Sequence, residues 1–185
     1  MKNLLKNLFR KYILYNKFIM QVLTYSNFIR WRRIEILIIL WPPVQDLFDE
    51  ITTYISERVK LKSLNTMEMK HDVFDKFIED LYAIDFADPK KIALKLDRLM
   101  EDKSLIRVLK VEIKKPKIIV QDSLNRVRCE SIGDLKDNVR RKFRKQVKNY
   151  TYDIVIHSTE VDYQNKLVES LLEKYSIDAK QTEVL

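Results

Sequence analysis

Apolar and polar positions along the chain alternate between two periods. Ile34-Glu-Ile-Leu-Ile-Ile-Leu40 is a near-continuous β-branched run, the pattern of a central strand buried on both faces. Trp41-Pro-Pro43 stops it, and Pro43 suits the first turn of a helix. The spacing of Leu47, Ile51, Tyr54 and Ile55 predicts that helix from Val44 to Val59. Leu61 to Met69 reads as a short second strand. Asp72 suits a helix cap ahead of Phe74, Phe77, Ile78 and Leu81, and that helix ends near Ile84. Asp88-Pro89 starts another, with Ile92, Leu94, Leu96 and Leu99 on its apolar side. Leu105 to Ile113 is the next strand, closed by Pro116. Lys117–Val120 and Arg126–Glu130 read as a small hairpin, and Ser131 as the cap of a helix through about Val147. The stretch Asn149–Glu160 then brings an apolar β-run to His157, followed by a helix from Tyr163 to Tyr175. Residues 177–185 are polar and expected to form a flexible tail.

This order is βαββαβ with insertions. It predicts an α+β domain over 34–176 of the ferredoxin-like kind, an antiparallel sheet with helices on one face. An N-terminal helical extension precedes it.

Charge divides the chain at the same boundary. Residues 1–33 hold eight basic residues and no acid, so 34–185 holds 27 basic against 27 acidic residues. The net charge of +8 therefore belongs to the arm. Leu4, Leu5, Leu8, Phe9, Tyr12, Ile13 and Tyr15 give that arm helical amphipathicity. Three roles suit it: packing on the domain or on a second copy in a homo-oligomer, lying on an anionic membrane surface, or binding nucleic acid. No specific nucleic-acid motif accompanies the last role. No apolar run approaches the ~18 residues of a membrane span.

Two rare residue types narrow the chemistry. A single cysteine, Cys129, leaves no internal disulfide or multi-cysteine zinc site, and a reducing cytosol is the expected compartment. A single glycine, Gly133, excludes a Walker-type phosphate loop and a dinucleotide fingerprint, both of which need several. Any bound phosphate must be held by side chains or helix ends.

The chemistry-bearing candidate is His157, one of two histidines, followed by Ser158, Thr159 and Glu160 at a helix start. A strand that ends by presenting an imidazole can supply a nucleophile or general base, or merely end. His71 beside Asp72 fits a helix start, and no ligand spacing joins it to His157 as a metal pair, so no metal site is expected. Cys129 reads as an inert hairpin cysteine, and Trp41 as a core ring or a stacking surface for a base or sugar. The cluster Arg140, Arg141, Lys142, Arg144 and Lys145 reads as a solvated face or, beside the His157 strand, as an anion site.

Four stretches in order resemble the nucleoside diphosphate kinase family over about residues 34–175. The turn Trp41-Pro-Pro-Val-Gln45 is similar to the family's Lys-Pro-Asp-Gly-Val turn. Phe77-Ile-Glu-Asp-Leu-Tyr82 resembles the helix whose tyrosine lies near the nucleotide. Val139-Arg-Arg-Lys-Phe143 resembles the Ile-Arg-Gly-Asp-Phe stretch with its phosphate-contacting arginine, and Val155-Ile-His-Ser-Thr-Glu160 resembles Ile-Ile-His-Gly-Ser-Asp. The resemblance implies ping-pong phosphoryl transfer between nucleoside di- and triphosphates carrying Mg²⁺. In that scheme His157 is the nucleophile, Arg140 contacts phosphate, Thr159 is a nearby hydroxyl and Tyr82 lies against the nucleotide. The chain departs from the family at four points: Trp41 replaces the phosphate-binding lysine, Ile154 an asparagine, Ser158 the glycine after the histidine, and the 117–130 hairpin a helix that supplies another arginine, a role given to neither Arg126 nor Arg128. Contacts of that kind contribute about 2–4 kcal/mol each to a transition state, so the loss of two or three is expected to slow transfer by many thousand-fold.

Overall fold

The computed structural model describes residues 33–84, 89–99, 105–121, 126–151, 154–178 and 181–183. The basic arm lies outside these residues except for its last, Arg33. The central strand is β1 (Arg33–Leu40), in which Ile36, Leu37, Ile38, Ile39 and Leu40 are all buried. Successive strand side chains point to opposite faces, so β1 meets protein on both. Each such burial contributes about 1.5–3 kcal/mol, which makes β1 the anchor of the core.

β1 pairs antiparallel with β3 (Leu105–Lys114), from Arg33↔Lys114 to Leu40↔Arg107. On its other edge it pairs with the short β6 (Ile156–Ser158), with Ile39 opposite His157. β3 also pairs with β2 (Lys60–Met69), which carries a bulge between Leu61 and Ser63. The strand order is β6-β1-β3-β2-β7, and every pairing is antiparallel. β7 (Ser176–Asp178) and β8 (Gln181–Glu183) both pair with β2, so the stretch expected to fray contributes edge strands. A separate hairpin joins β4 (Ile118–Gln121) to β5 (Arg126–Cys129).

The helices are α1 (Phe48–Ser56), α2 (Phe74–Ile84), α3 (Pro89–Leu99), α4 (Glu130–Phe143) and α5 (Asp162–Tyr175). Arg107 and Lys110 of β3 are three residues apart and so face opposite ways. Arg107 reaches Asp49 of α1 at 2.6 Å, whereas Lys110 reaches Glu169 of α5 at 3.3 Å. α4 packs on α1 through Phe143 and Tyr54, and α2 packs on α5 through Phe77 and Tyr175. Helices therefore cover both faces, not the one face expected. The second apolar face of β1 is what the added helices α2 and α5 bury.

Local differences have local causes. Pro42 and Pro43 remove two successive N–H donors, so the chain first makes a 3₁₀ turn over Pro42–Leu47, kinked at Val44, and α1 begins only at Phe48. Ser131 does not cap α4; its hydroxyl accepts from the Lys117 N–H at 3.1 Å and ties the hairpin to the helix start. Asn149 has φ 52°, a left-handed conformation that asparagine tolerates, and the strand expected from Asn149 contracts to β6. Among the described residues no helix is long and apolar enough to cross a membrane.

Candidate functional site around His157

β6 is held at both ends by backbone bonds to β1. The Trp41 N–H donates to the Val155 carbonyl at 3.2 Å, and the Thr159 N–H donates to the Leu37 carbonyl at 2.9 Å. Beyond Ser158 the ladder is continued by side chains. The Leu37 N–H donates to Thr159 Oγ1 at 3.0 Å, and the Thr159 hydroxyl donates to Asn165 Oδ1 at 2.7 Å. Asn165 Nδ2 then donates to the Glu35 carbonyl at 2.8 Å. Gln164, in the first turn of α5, accepts from the Glu160 N–H at 2.6 Å. The strand end and the first turn of α5 thus form one hydrogen-bonded unit, and the Thr159 hydroxyl is part of that frame.

On this frame the His157 ring is buried at 8% exposure between two aromatic residues. Its centroid lies 5.1 Å from that of Tyr82, edge to face, and 6.2 Å from that of Trp41. Trp41 and Tyr82 are nearly parallel, at 21° and 6.4 Å. Trp41 is fully buried, so it is a core ring, and its indole Nε1 has no hydrogen-bond partner among the described residues. Tyr82 is itself only 7% exposed.

Cations surround this aromatic group. Lys95 of α3 donates to the Tyr82 hydroxyl at 2.6 Å and lies 4.6 Å from its ring centroid. Lys136 of α4 pairs with Glu160 at 2.7 Å, with both side chains largely buried. Arg140, one helical turn further on, pairs with Asp137 at 3.1 Å and donates to the Ile156 carbonyl at 3.4 Å, next to His157. Burial holds His157 well below the usual imidazole range, and the charges of Lys136, Lys95 and Arg140 push it further the same way. At neutral pH the ring is uncharged and one nitrogen keeps its lone pair. An uncharged imidazole in a positive field can attack an electrophile whose anionic oxygens the same cations attract.

Of the residues singled out in the sequence, Tyr82 and Arg140 stand beside His157, and Thr159 locks the strand. Lys95 and Lys136 were missed. Lys95 sits at i+3 from Ile92 and i−4 from Leu99, a cation on the apolar stripe of α3, which is a readable signal. Lys136 shares the Arg140 face of α4 by its spacing of four.

The remaining candidates lie apart from this chemistry. His71 is exposed in a 3₁₀ turn over His71–Val73. Cys129 is buried, and burial pushes its thiol up, which leaves it protonated and inert. Arg128 stands 3.9 Å from Glu160 and lies over Gly133, where a Cβ would collide with its guanidinium. A side chain at Gly133 would require the flexible end of Arg128 to shift. Among the described residues no three His, Cys, Asp or Glu side chains group as metal ligands.

No protein-family model matches the chain, and no curated protein matches it. Among solved structures it is similar to the orthorhombic crystal form C222 of the Aquifex aeolicus nucleoside diphosphate kinase, at 14% identity and a TM-score of 0.45. That similarity covers 76% of this chain and 94% of the other. A likeness of this size assigns no activity, substrate or residue role.

Proposed function

We propose that this chain is a divergent nucleoside-diphosphate-kinase-like protein that binds the phosphates of a nucleoside di- or triphosphate beside His157 and transfers a phosphoryl group through that ring. The observation that carries the reading is the uncharged, buried imidazole of His157 under the field of Lys95, Lys136 and Arg140. In the first half-reaction a ring nitrogen forms a bond to the γ-phosphorus while the bond to the bridging oxygen breaks and the diphosphate leaves. In the second, a terminal oxygen of another diphosphate takes the phosphoryl group and the N–P bond breaks. Such transfer depends mainly on positioning and charge stabilisation, which cations on two helices supply. Mg²⁺ would arrive on the nucleotide phosphates, as small hard cations usually do. The strand order supports reading 33–158 as a ferredoxin-like βαββαβ unit, with α1 and α4 on its helical face and α2, α3 and α5 added.

The test is incubation of the purified chain with Mg²⁺ and γ-labelled ATP. Acid-labile, base-stable label on the protein, absent from a His157→Ala variant, is the expected result. No label, together with no ADP-induced rise in melting temperature, would sink the reading.

One observation favours a second reading. Trp41 occupies the place of the phosphate-binding lysine and packs on both His157 and Tyr82. On this reading the fold is a non-catalytic binding or assembly module, set on an anionic membrane surface by the basic arm. It expects no label, and co-sedimentation with anionic liposomes that disappears when the arm, residues 1–33, is removed.

A further inference from the structure

We infer that the end of the sheet from which the arm departs is a docking face for an anionic lipid surface, and that the domain bound there turns its His157 end away from the lipid. This rests on the membrane reading above and extends it by giving the folded domain its own share of the contact.

The register of the central strands collects the cations. Arg33 opens β1 directly opposite Lys114, the last residue of β3, and Lys115 follows in the chain. Lys60 opens β2 opposite Glu112, which stands just ahead of Lys114 on the same strand. Lys62 occupies the bulge between Leu61 and Ser63, and Arg58 lies in the turn before β2. All of these cationic residues are exposed. Neighbouring strands stand about 4.8 Å apart, so β1, β3 and β2 spread the charges over about 10 Å, close to the Debye length at physiological salt. Glu112 and Glu57 offset part of this charge: Glu112 has Arg33 and Lys62 at 3.7 and 3.9 Å, and Glu57 pairs with Arg58 at 3.0 Å. Like charges set directly across a ladder, as on Arg33 and Lys114, destabilise a sheet, and an external anion relieves that repulsion.

Cations on a sheet edge alone would serve to repel other sheets. What points to lipid is the chain that joins the domain at this corner. The arm sequence carries cations with no acid, beside apolar residues such as Leu4, Leu5, Leu8 and Phe9, and it ends in Trp31-Arg-Arg33. A nucleic acid answers the cations and gives the apolar residues nothing to enter, whereas a lipid surface answers both. Tryptophan favours the level of the headgroups, which suits Trp31 beside the cationic rim. His157 stands opposite Ile39, near the far end of β1 and about 20 Å from Arg33 at the rise of a strand. Lipid at the Arg33 end therefore leaves the His157 end facing away.

The experiment titrates the full chain with phosphatidylcholine vesicles containing about 30% phosphatidylserine, and separately with a DNA duplex. One variant combines Lys60→Gln, Lys114→Gln and Lys115→Gln at the rim. A second combines Lys70→Gln, Lys76→Gln and Lys174→Gln and removes the same charge from the other end of β2. There the Lys70 N–H donates to the Tyr175 carbonyl at 3.0 Å, and Lys76 and Lys174 flank Asp80 at 3.0 and 3.6 Å. A lysine near an anionic surface contributes about fivefold in affinity, so the rim variant is expected to lose on the order of a hundredfold and the second less than about threefold. Vesicles of brominated lipid are expected to quench the parent's emission and to leave that of Trp31→Phe, whose remaining indole is Trp41, unchanged. Equal losses in the two variants, or quenching in Trp31→Phe, would overturn the inference while the membrane reading stands. Absence of vesicle binding by the parent, whether or not the duplex binds, would overturn both.

Discussion

The two ends of β1 treat buried polar groups in opposite ways. At its start Glu112 of β3 is buried, yet Arg33 stands 3.7 Å and Lys62 3.9 Å away, and Lys110 bridges Glu35 and Glu169 at 3.6 and 3.3 Å. Charge there is cancelled locally by partners whose tips reach water. At its other end the ring of His157 is buried and uncharged, and the groups that lower its pKa beyond the effect of burial are Lys136, Lys95 and Arg140, of which Lys136 is paired with Glu160 and Arg140 with Asp137. At the first end cations answer a buried carboxylate, whereas at the second they border a neutral ring and disfavour its protonation. The contrast separates a structural cluster from a candidate site more sharply than burial does, because both groups are buried.

Matched substitutions test that contrast. The largest effect is expected at Glu160. Glu160→Gln leaves Lys136, whose side chain is 13% exposed, without its partner carboxylate, at a cost of about 3 kcal/mol in chemical denaturation. A loss below about 1 kcal/mol would mean that Lys136 reaches water and is no part of a closed site.

Next is the pH dependence set by His157. Its folded-state pKa is depressed, so the unfolded chain takes up the proton first. Stability is complete above about pH 6.5 and falls as pH drops from there towards the folded-state value, by up to about 1.4 kcal/mol per pH unit. His157→Gln removes this slope, while the loss tied to Asp80 begins only in the carboxylate range, because the Tyr175 hydroxyl and Lys76 hold Asp80 below its usual value. An unchanged slope between pH 6.5 and 5 in the variant would show that the ring is free to titrate.

On the proposed reading Lys95→Met weakens ADP binding about tenfold by titration calorimetry, with little change in melting temperature, since the ammonium would contact phosphate there and is half-buried, outside the core. Equal affinity in variant and parent would remove Lys95 from the site. The smallest effect is expected at Glu112→Gln, about 1 kcal/mol or less, because Arg33 and Lys62 are 65% and 38% exposed and turn to solvent. A cost matching that of Glu160→Gln would erase the difference between the two ends.

Much of this fold was legible in the sequence because it was written in local pattern. The run at Ile34–Leu40, the breaker Trp41-Pro-Pro43 and the apolar stripe of Phe74, Phe77, Ile78 and Leu81 each fixed an element by periodicity and chain stereochemistry. What escaped depends on tertiary placement. β7 and β8 lie in a polar stretch and exist by backbone pairing to β2, which leaves no hydrophobic signature. The covering of both sheet faces was implicit in the unbroken apolarity of β1, but the strand order alone pointed to one layer. His157 was singled out as a rare histidine at a strand end, and Tyr82 and Arg140, which the structure sets near it, through family-like motifs. Lys95 was hidden because its role comes from the packing of α3 beside Tyr82, far from any motif.

The contact between Trp41 and His157, at 6.2 Å between ring centroids, makes the site optically self-reporting. The chain has two tryptophans, so a Trp31→Phe variant would leave Trp41 as the sole indole emitter. A protonated imidazole quenches a neighbouring indole, and a phosphorylated one alters its surroundings. The emission of Trp41 would therefore follow the state of His157 in real time, without label, substrate analogue or added dye.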